Sequence, residues 1–248
     1  SGADYLRYRH NDYAQLEHLL EQRAADYRFV IIVTESLFSM DGDTADLPHL
    51  VRLKKRYGHV LLYGDEAHAV GAYGETGLGL AEMQDCVADI DILTGTFGKA
   101  LASVGAFAVC SGLIKEYLTN HMRTLIFSTA LPPVNMAWTH FVFRQLPGMK
   151  ARRERLAGIS RRLREAVAAH HPSPMLAAAN SHIIPCVLGS NGAAVKQAQA
   201  WQKQGYYCLP IRPPTVPPGS ARVRLSLTAD ISDDELDGFI QTLGGVDN

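Results

Sequence analysis

The chain has 248 residues, 47% of them hydrophobic and 20% charged, with a formal net charge of -1. This is the composition of a globular protein with one large domain or two smaller ones. The charge balance gives no reason to expect nucleic acid or an anionic membrane as a partner, no apolar stretch approaches a bilayer span, and the opening Ser1-Gly2-Ala3-Asp4 lacks the basic-then-apolar pattern of a signal peptide.

Four apolar runs in the first half predict buried parallel strands: Phe29 to Val33, His59 to Tyr63, Ile90 to Leu93 and Ala106 to Cys110. They lack clean alternation, as strands covered on both faces do. Between the first two, Asp46 is placed to cap a helix with Pro48 in its first turn and Leu50, Leu53 and Tyr57 along it, stopped by Gly58. Strand, helix, strand is a βαβ unit, so a mainly parallel α/β sheet with helices on both faces is expected. Ligands of such sheets bind beyond the carboxyl ends of the strands. The segments Glu35 to Asp41, Asp65 to His68 and Thr94 to Lys99 all follow strands at that edge.

Leu146-Pro147-Gly148 breaks the chain, so residues 1–146 are read as part of a large domain and 147–248 as a small α+β domain. The latter opens with a helix from about Lys150 to about Ala169, apolar along Leu156, Ile159, Leu163 and Val167. Its arginines have no interleaved aromatics and read as a solvated face rather than a nucleic-acid patch. Next come a strand at His182 to Leu188, a helix from about Ala193 to Gln204, strands at Tyr206 to Ile211 and Val223 to Leu227, and a last helix opened by the capping-box sequence Ser232-Asp233-Asp234-Glu235. Cys86, Cys110, Cys186 and Cys208 are widely spaced with no CxxC pair, which fits free thiols in a reducing cytoplasm and gives no expectation of a metal site.

The most informative residue is Lys99, in Thr94-Gly95-Thr96-Phe97-Gly98-Lys99-Ala100. A lysine on a small-residue loop can form a Schiff base with a carbonyl cofactor, and a carboxylate at a neighbouring strand end, Asp65 of Asp65-Glu66-Ala67-His68, can keep a pyridine nitrogen protonated. Together they point to pyridoxal 5′-phosphate (PLP), which stabilises carbanions. Taken singly, Lys99 is a surface lysine, Asp65 a helix cap, His68 a structural histidine, and Ser39 and Thr96 turn residues. The ordered set is far more specific. An apolar run followed by Asp-Glu-Ala-His also occurs in nucleotide-driven helicases and ATPases, where the acid holds magnesium. That reading needs an upstream GxxxxGK[ST] loop, which this chain does not contain.

The ordered set resembles the α-oxoamine synthases, PLP enzymes of fold-type I that join an amino acid to an acyl thioester with loss of carbon dioxide. The resemblance implies that Lys99 carries PLP and later moves the Cα proton. It also implies that Asp65 pairs with the ring nitrogen, that His68 and Ser39 lie near the ring hydroxyl, and that Thr96 meets the phosphate. A second match is Ile211-Arg212-Pro213-Pro214-Thr215-Val216-Pro217 through Arg222-Val223-Arg224. There the family arginine matching Arg224 clamps the substrate carboxylate, a task suited to guanidinium, Thr215 matches a substrate-loop threonine, and Arg222 is structural or solvated. This run favours members that use L-alanine and a pimeloyl thioester, on coenzyme A or acyl-carrier protein, over glycine- or serine-using relatives. An inactive scaffold of the same fold is the remaining alternative. A homodimer is also implied, as is an N-terminal portion with a glycine-rich phosphate-binding turn and a stacking aromatic; neither feature occurs here, so the chain is expected to be a fragment. One departure is Gly64, where a branched apolar residue is expected before Asp65 and whose presence is expected to loosen the strand end.

Overall fold

Alternation of burial along the first strands sets the architecture. In β1 (Val30–Glu35) Ile32 and Thr34 are buried while Ile31 and Val33 are 53% and 61% exposed. The same period of two runs through β2 (Val60–Asp65) and β3 (Ile92–Thr96). The computed structural model describes residues 2–244. They fall into two units, one comprising the chain up to Ser36 with Ala45–Gly148, the other Leu37–Thr44 with the chain from Met149 onward.

The first unit begins with α1 (Tyr13–Arg23), and α2 (Leu47–Arg56) joins β1 to β2. Asp46 caps α2 by accepting from the His49 amide at 2.8 Å, Pro48 sits in the first turn, and Leu47, Leu50, Val51 and Leu53 are buried. After β2 come α3 (Leu80–Met83), β3, and β4 (Ala106–Cys110), then three helices, α4 (Gly112–His121), α5 (Arg123–Ile126) and α6 (Pro133–Gln145). The sheet order is β1-β2-β3-β4, parallel except for β4. Two expectations are thereby corrected. The fourth strand is antiparallel, because residues 97–105 are too few for a parallel crossover, which takes about a dozen or more. Among the described residues the strands are also not covered on both faces: one face is buried, and the other is open at its β1 edge.

Gly64 faces the buried side. A Cβ there would lie 3.3 Å from Leu93 Cδ1, so the absent side chain admits the neighbouring leucine. The strand end is not loosened, since Gly64 is paired in register with both Thr34 and Leu93.

The second unit contains α7 (Lys150–His170), α8 (Pro174–Ala178), β5 (Ile183–Gly189), α9 (Asn191–Lys203), β6 (Pro210–Ile211), β7 (Ala221–Ser226) and α10 (Asp233–Thr242). Its sheet is antiparallel throughout, in the order β5-β7-β6. The strand expected over Tyr206 to Ile211 shortens to two residues, with only Pro210 and Ile211 paired to β7. The core gathers Ile159, Leu163 and Val167 of α7 with Ile184, Trp201, Val223 and Phe239. The α7 arginines form a largely solvated face, as the sequence implies: Arg152, Arg155, Arg161 and Arg162 are exposed. Arg152 pairs with Asp230 at 2.7 Å, Arg162 reaches Asp233 and Asp237, and Arg153 is buried. The capping box forms as read, with the Glu235 amide donating to Ser232 Oγ and Ser232 N–H donating to the Glu235 carboxylate.

Candidate active site

Asp65 ends β2, held between two strands. The Ser36 amide donates to the Asp65 carbonyl at 2.9 Å, and the next amide, that of Glu66, donates to the Thr94 carbonyl at 2.7 Å. The Asp65 side chain stands on the face opposite Gly64 and accepts from the Ala67 amide at 2.7 Å, which closes the turn leading to His68. His68 is half-buried in that turn. In register, Glu35, Asp65, Thr94 and Ala108 form one row across the sheet, on the side whose β1 residues Ile31 and Val33 are exposed.

Thr96 lies two residues beyond Thr94 and so shares this side. Its hydroxyl donates to the Gly105 carbonyl at 3.2 Å and accepts from the Gly98 amide at 3.0 Å. The Phe97 amide donates to the Gly105 carbonyl and the Ser103 amide to the Phe97 carbonyl, so the loop between β3 and β4 closes on itself. Lys99 is exposed on this loop, and its carbonyl accepts from the Ala102 amide at 2.9 Å. The first unit thus places Asp65, Thr96 and Lys99 at the carboxyl ends of adjacent parallel strands.

Ser39, Thr215 and Arg224 belong to the second unit. Arg224 Nη1 donates to the Ser39 carbonyl at 3.1 Å, which joins β7 to the 37–44 segment. Arg222 is 1% exposed; it pairs with Asp41 and donates to the carbonyls of Met40 at 3.1 Å and Ser220 at 3.0 Å. Of the two readings open for it, structural or solvated, the structure selects the first. Thr215 is exposed after the cis Pro213-Pro214 bond, and its amide donates to the Arg212 carbonyl. His182, preceding β5, titrates at about 4; burial is the main cause and the Arg224 charge the second.

The sequence reading gave no role to Glu66, yet it is 1% exposed and accepts from Ser36 Oγ, Leu80 N and Ala81 N at 2.8, 3.0 and 2.6 Å. The signal available in the sequence was its place in the strand alternation, one residue past Asp65 and therefore on the buried side. This carboxylate is turned inward under three donors, unlike an acid presented to a nucleotide-bound metal.

A model of the family described as Aminotransferase class I and II matches residues 1–243. An 8-amino-7-oxononanoate synthase of Haemophilus ducreyi is 56% identical over 246 residues, covering 98% of this chain and 63% of that protein. Among solved structures, the Sphingomonas wittichii serine palmitoyltransferase matches with a TM-score of 0.90 at 31% identity, over 98% of this chain and 60% of that one. A serine palmitoyltransferase from S. paucimobilis with a bound PLP–myriocin aldimine matches with a TM-score of 0.90 at 29% identity, over the same shares. The chain spans less than two thirds of the length of the curated relatives it matches. These likenesses bear out the fold-type I class: a mainly parallel α/β sheet with helices, and a smaller α+β part.

Proposed function

Because the chain belongs to the aminotransferase class I and II family, we propose that the whole protein is a PLP-dependent 8-amino-7-oxononanoate synthase. It condenses L-alanine with a pimeloyl thioester, on coenzyme A or acyl-carrier protein, and releases carbon dioxide and the thiol carrier. The 56% identity to the H. ducreyi synthase supports this choice. The observation in the structure that carries it is that Asp65, Thr94 and Thr96 stand on one side of the sheet, with Lys99 on the loop that follows. The glycine- and serine-using members (2-amino-3-ketobutyrate ligase, 5-aminolevulinate synthase and serine palmitoyltransferase) form a second reading, supported by the likeness in fold to the serine palmitoyltransferases at about 30% identity.

The residues present fit PLP. Asp65 is half-buried with one short amide bond inside the chain, which leaves its carboxylate room for a protonated ring nitrogen. The Thr96 hydroxyl proton, on Gly105 at 3.2 Å, can turn to a phosphate oxygen. When bound, PLP supplies an electron sink for the carbanion at the amino-acid Cα. Lys99 supplies the amine that holds the cofactor and, once displaced by substrate, removes the Cα proton. Asp65 keeps the ring nitrogen protonated, Ser39 and His68 address the ring hydroxyl side, and His68 assists at the new carbonyl. Arg224 holds the substrate carboxylate, and Thr215 lies on the substrate loop.

The protein acts in the cytoplasm as a homodimer. Exposed Leu113, Tyr117, Phe127 and Val134, at 79%, 63%, 77% and 73%, fit such an association. Among the described residues no helix is long and apolar enough to cross a membrane.

Borohydride reduction of the PLP-loaded full-length protein, followed by peptide mapping, should label Lys99. A label on another lysine overturns the assignment. Turnover with alanine, glycine and serine against a panel of acyl thioesters separates the two readings.

A further inference from the structure

Glu66 is a charge-bearing group placed where burial is costly, and the proposed chemistry does not use it. Burial pushes its carboxyl above the ordinary range as the largest influence, while the Ala81, Ser36 and Leu80 donors pull against this. Its surroundings are built for an ionised acid. Two backbone N–H groups and a hydroxyl converge on two oxygens, and a carboxylate accepts at both, whereas a glutamine carries donors on one side. Gly79, at φ +109°, presses against it; a Cβ there would lie 2.3 Å from Glu66 Oε2. No other side chain fits without displacing the acid.

The same residue governs the turn. Its amide donates to Thr94 O, and its carbonyl accepts from Ala69 N at 2.8 Å and Val70 N at 2.9 Å. The loop it anchors is closed by a second carboxylate, Glu82, which accepts from Thr76 Oγ1 at 2.6 Å and Leu78 N at 2.9 Å. Asp65 is covalently adjacent, and His68 lies inside the turn that the Glu66 carbonyl closes.

We propose that Glu66 is a positioning residue, whose buried carboxylate ties β1 and the start of α3 to the end of β2 and so fixes the direction of Asp65. The inference rests on the reading of Asp65 as the partner of the PLP ring nitrogen. It adds that the pairing depends on an acid that never touches the cofactor. Glutamine at this position would set an N–H against the Leu80 or Ala81 amide, and the strand end would shift to relieve it.

The test compares Glu66→Gln and Asp65→Asn in the PLP-loaded full-length protein, reading the visible absorbance of the bound cofactor and its pH titration. Hydrogen exchange of amides 66–70 is followed with PLP removed. Glu66→Gln should shift the absorbance titration in the direction seen for Asp65→Asn, speed exchange of amides 66–70, and lower kcat roughly ten- to a hundredfold, as a misplacement of an Å or less does. A wild-type titration in Glu66→Gln beside a shifted one in Asp65→Asn overturns the inference alone. An unshifted titration in Asp65→Asn overturns the reading beneath it, and the inference with it. If Glu66→Gln does not fold, Ser36→Ala, which removes one donor, should give a smaller shift of the same sign. A wild-type titration there overturns the inference.

Discussion

Replacing Arg222 by alanine should destabilise the protein far more than a typical surface change. The guanidinium is 1% exposed and donates to Ser220 O at 3.0 Å, Met40 O at 3.1 Å and Met175 Sδ at 3.2 Å, besides pairing with Asp41. Removing one member of a buried pair costs about 3–5 kcal/mol, because the other charge loses its counter-ion. The Asp41 side chain is 30% exposed and keeps some water, so the low end, about 3 kcal/mol, applies. For a chain of this size each kcal/mol moves Tm by about 2–4 °C, giving a fall of roughly 6–12 °C. Thermal melts followed by circular dichroism measure it. Arg222→Met with Asp41→Leu, which removes both charges, should recover most of the loss. A single variant within about 2 °C of the parent, or a double variant no better than the single, would refute the reasoning.

Asp65→Asn in the full-length protein should retain PLP but lose on the order of ten- to a hundredfold in turnover. The charge-assisted bond it removes is worth about 1.5–3 kcal/mol, and each 1.36 kcal/mol is about tenfold in rate. Near-normal kcat would count against its role at the ring nitrogen. Arg224→Ala should raise the amino-acid KM far more than the thioester KM, and equal effects would make it structural. His182 titrates at about 4 in the fold against an ordinary 6.5, with burial the main cause. The unfolded chain therefore takes up the proton first, and stability present above pH 6.5 is lost as the pH falls toward 4. Between pH 7 and pH 5 this group costs about 2 kcal/mol. Urea melts at the two values should show a smaller loss in His182→Gln, and an equal loss would sink the assignment.

The local signals of this chain were legible because they are local. Asp46 and Ser232 cap the helices they precede, Pro48 sits in a first turn, and the apolar spacing of α7 buries Ile159, Leu163 and Val167. These depend on neighbours within about one helical turn, which the sequence states directly. The positions of Lys99 and Asp65 were also legible, on a loop after β3 and at the end of β2, since both lie in short motifs. Strand direction was legible only in part: the nine residues between β3 and β4 forbid a parallel return, but the open face of the sheet depends on which elements lie against it. Tertiary structure alone decided the roles of Glu66 and Arg222. Both are ionisable residues that the sequence places beside a motif or in a strand. Their burial is tolerable only because distant donors and acceptors meet them, from Ser36, Leu80 and Ala81 in one case and from Met40 and Asp41 in the other. A buried charge is defined by partners tens of residues away, so a linear pattern cannot announce it. Folding makes those partners neighbours, and only then does an acid or a guanidinium become the fixed point of a site.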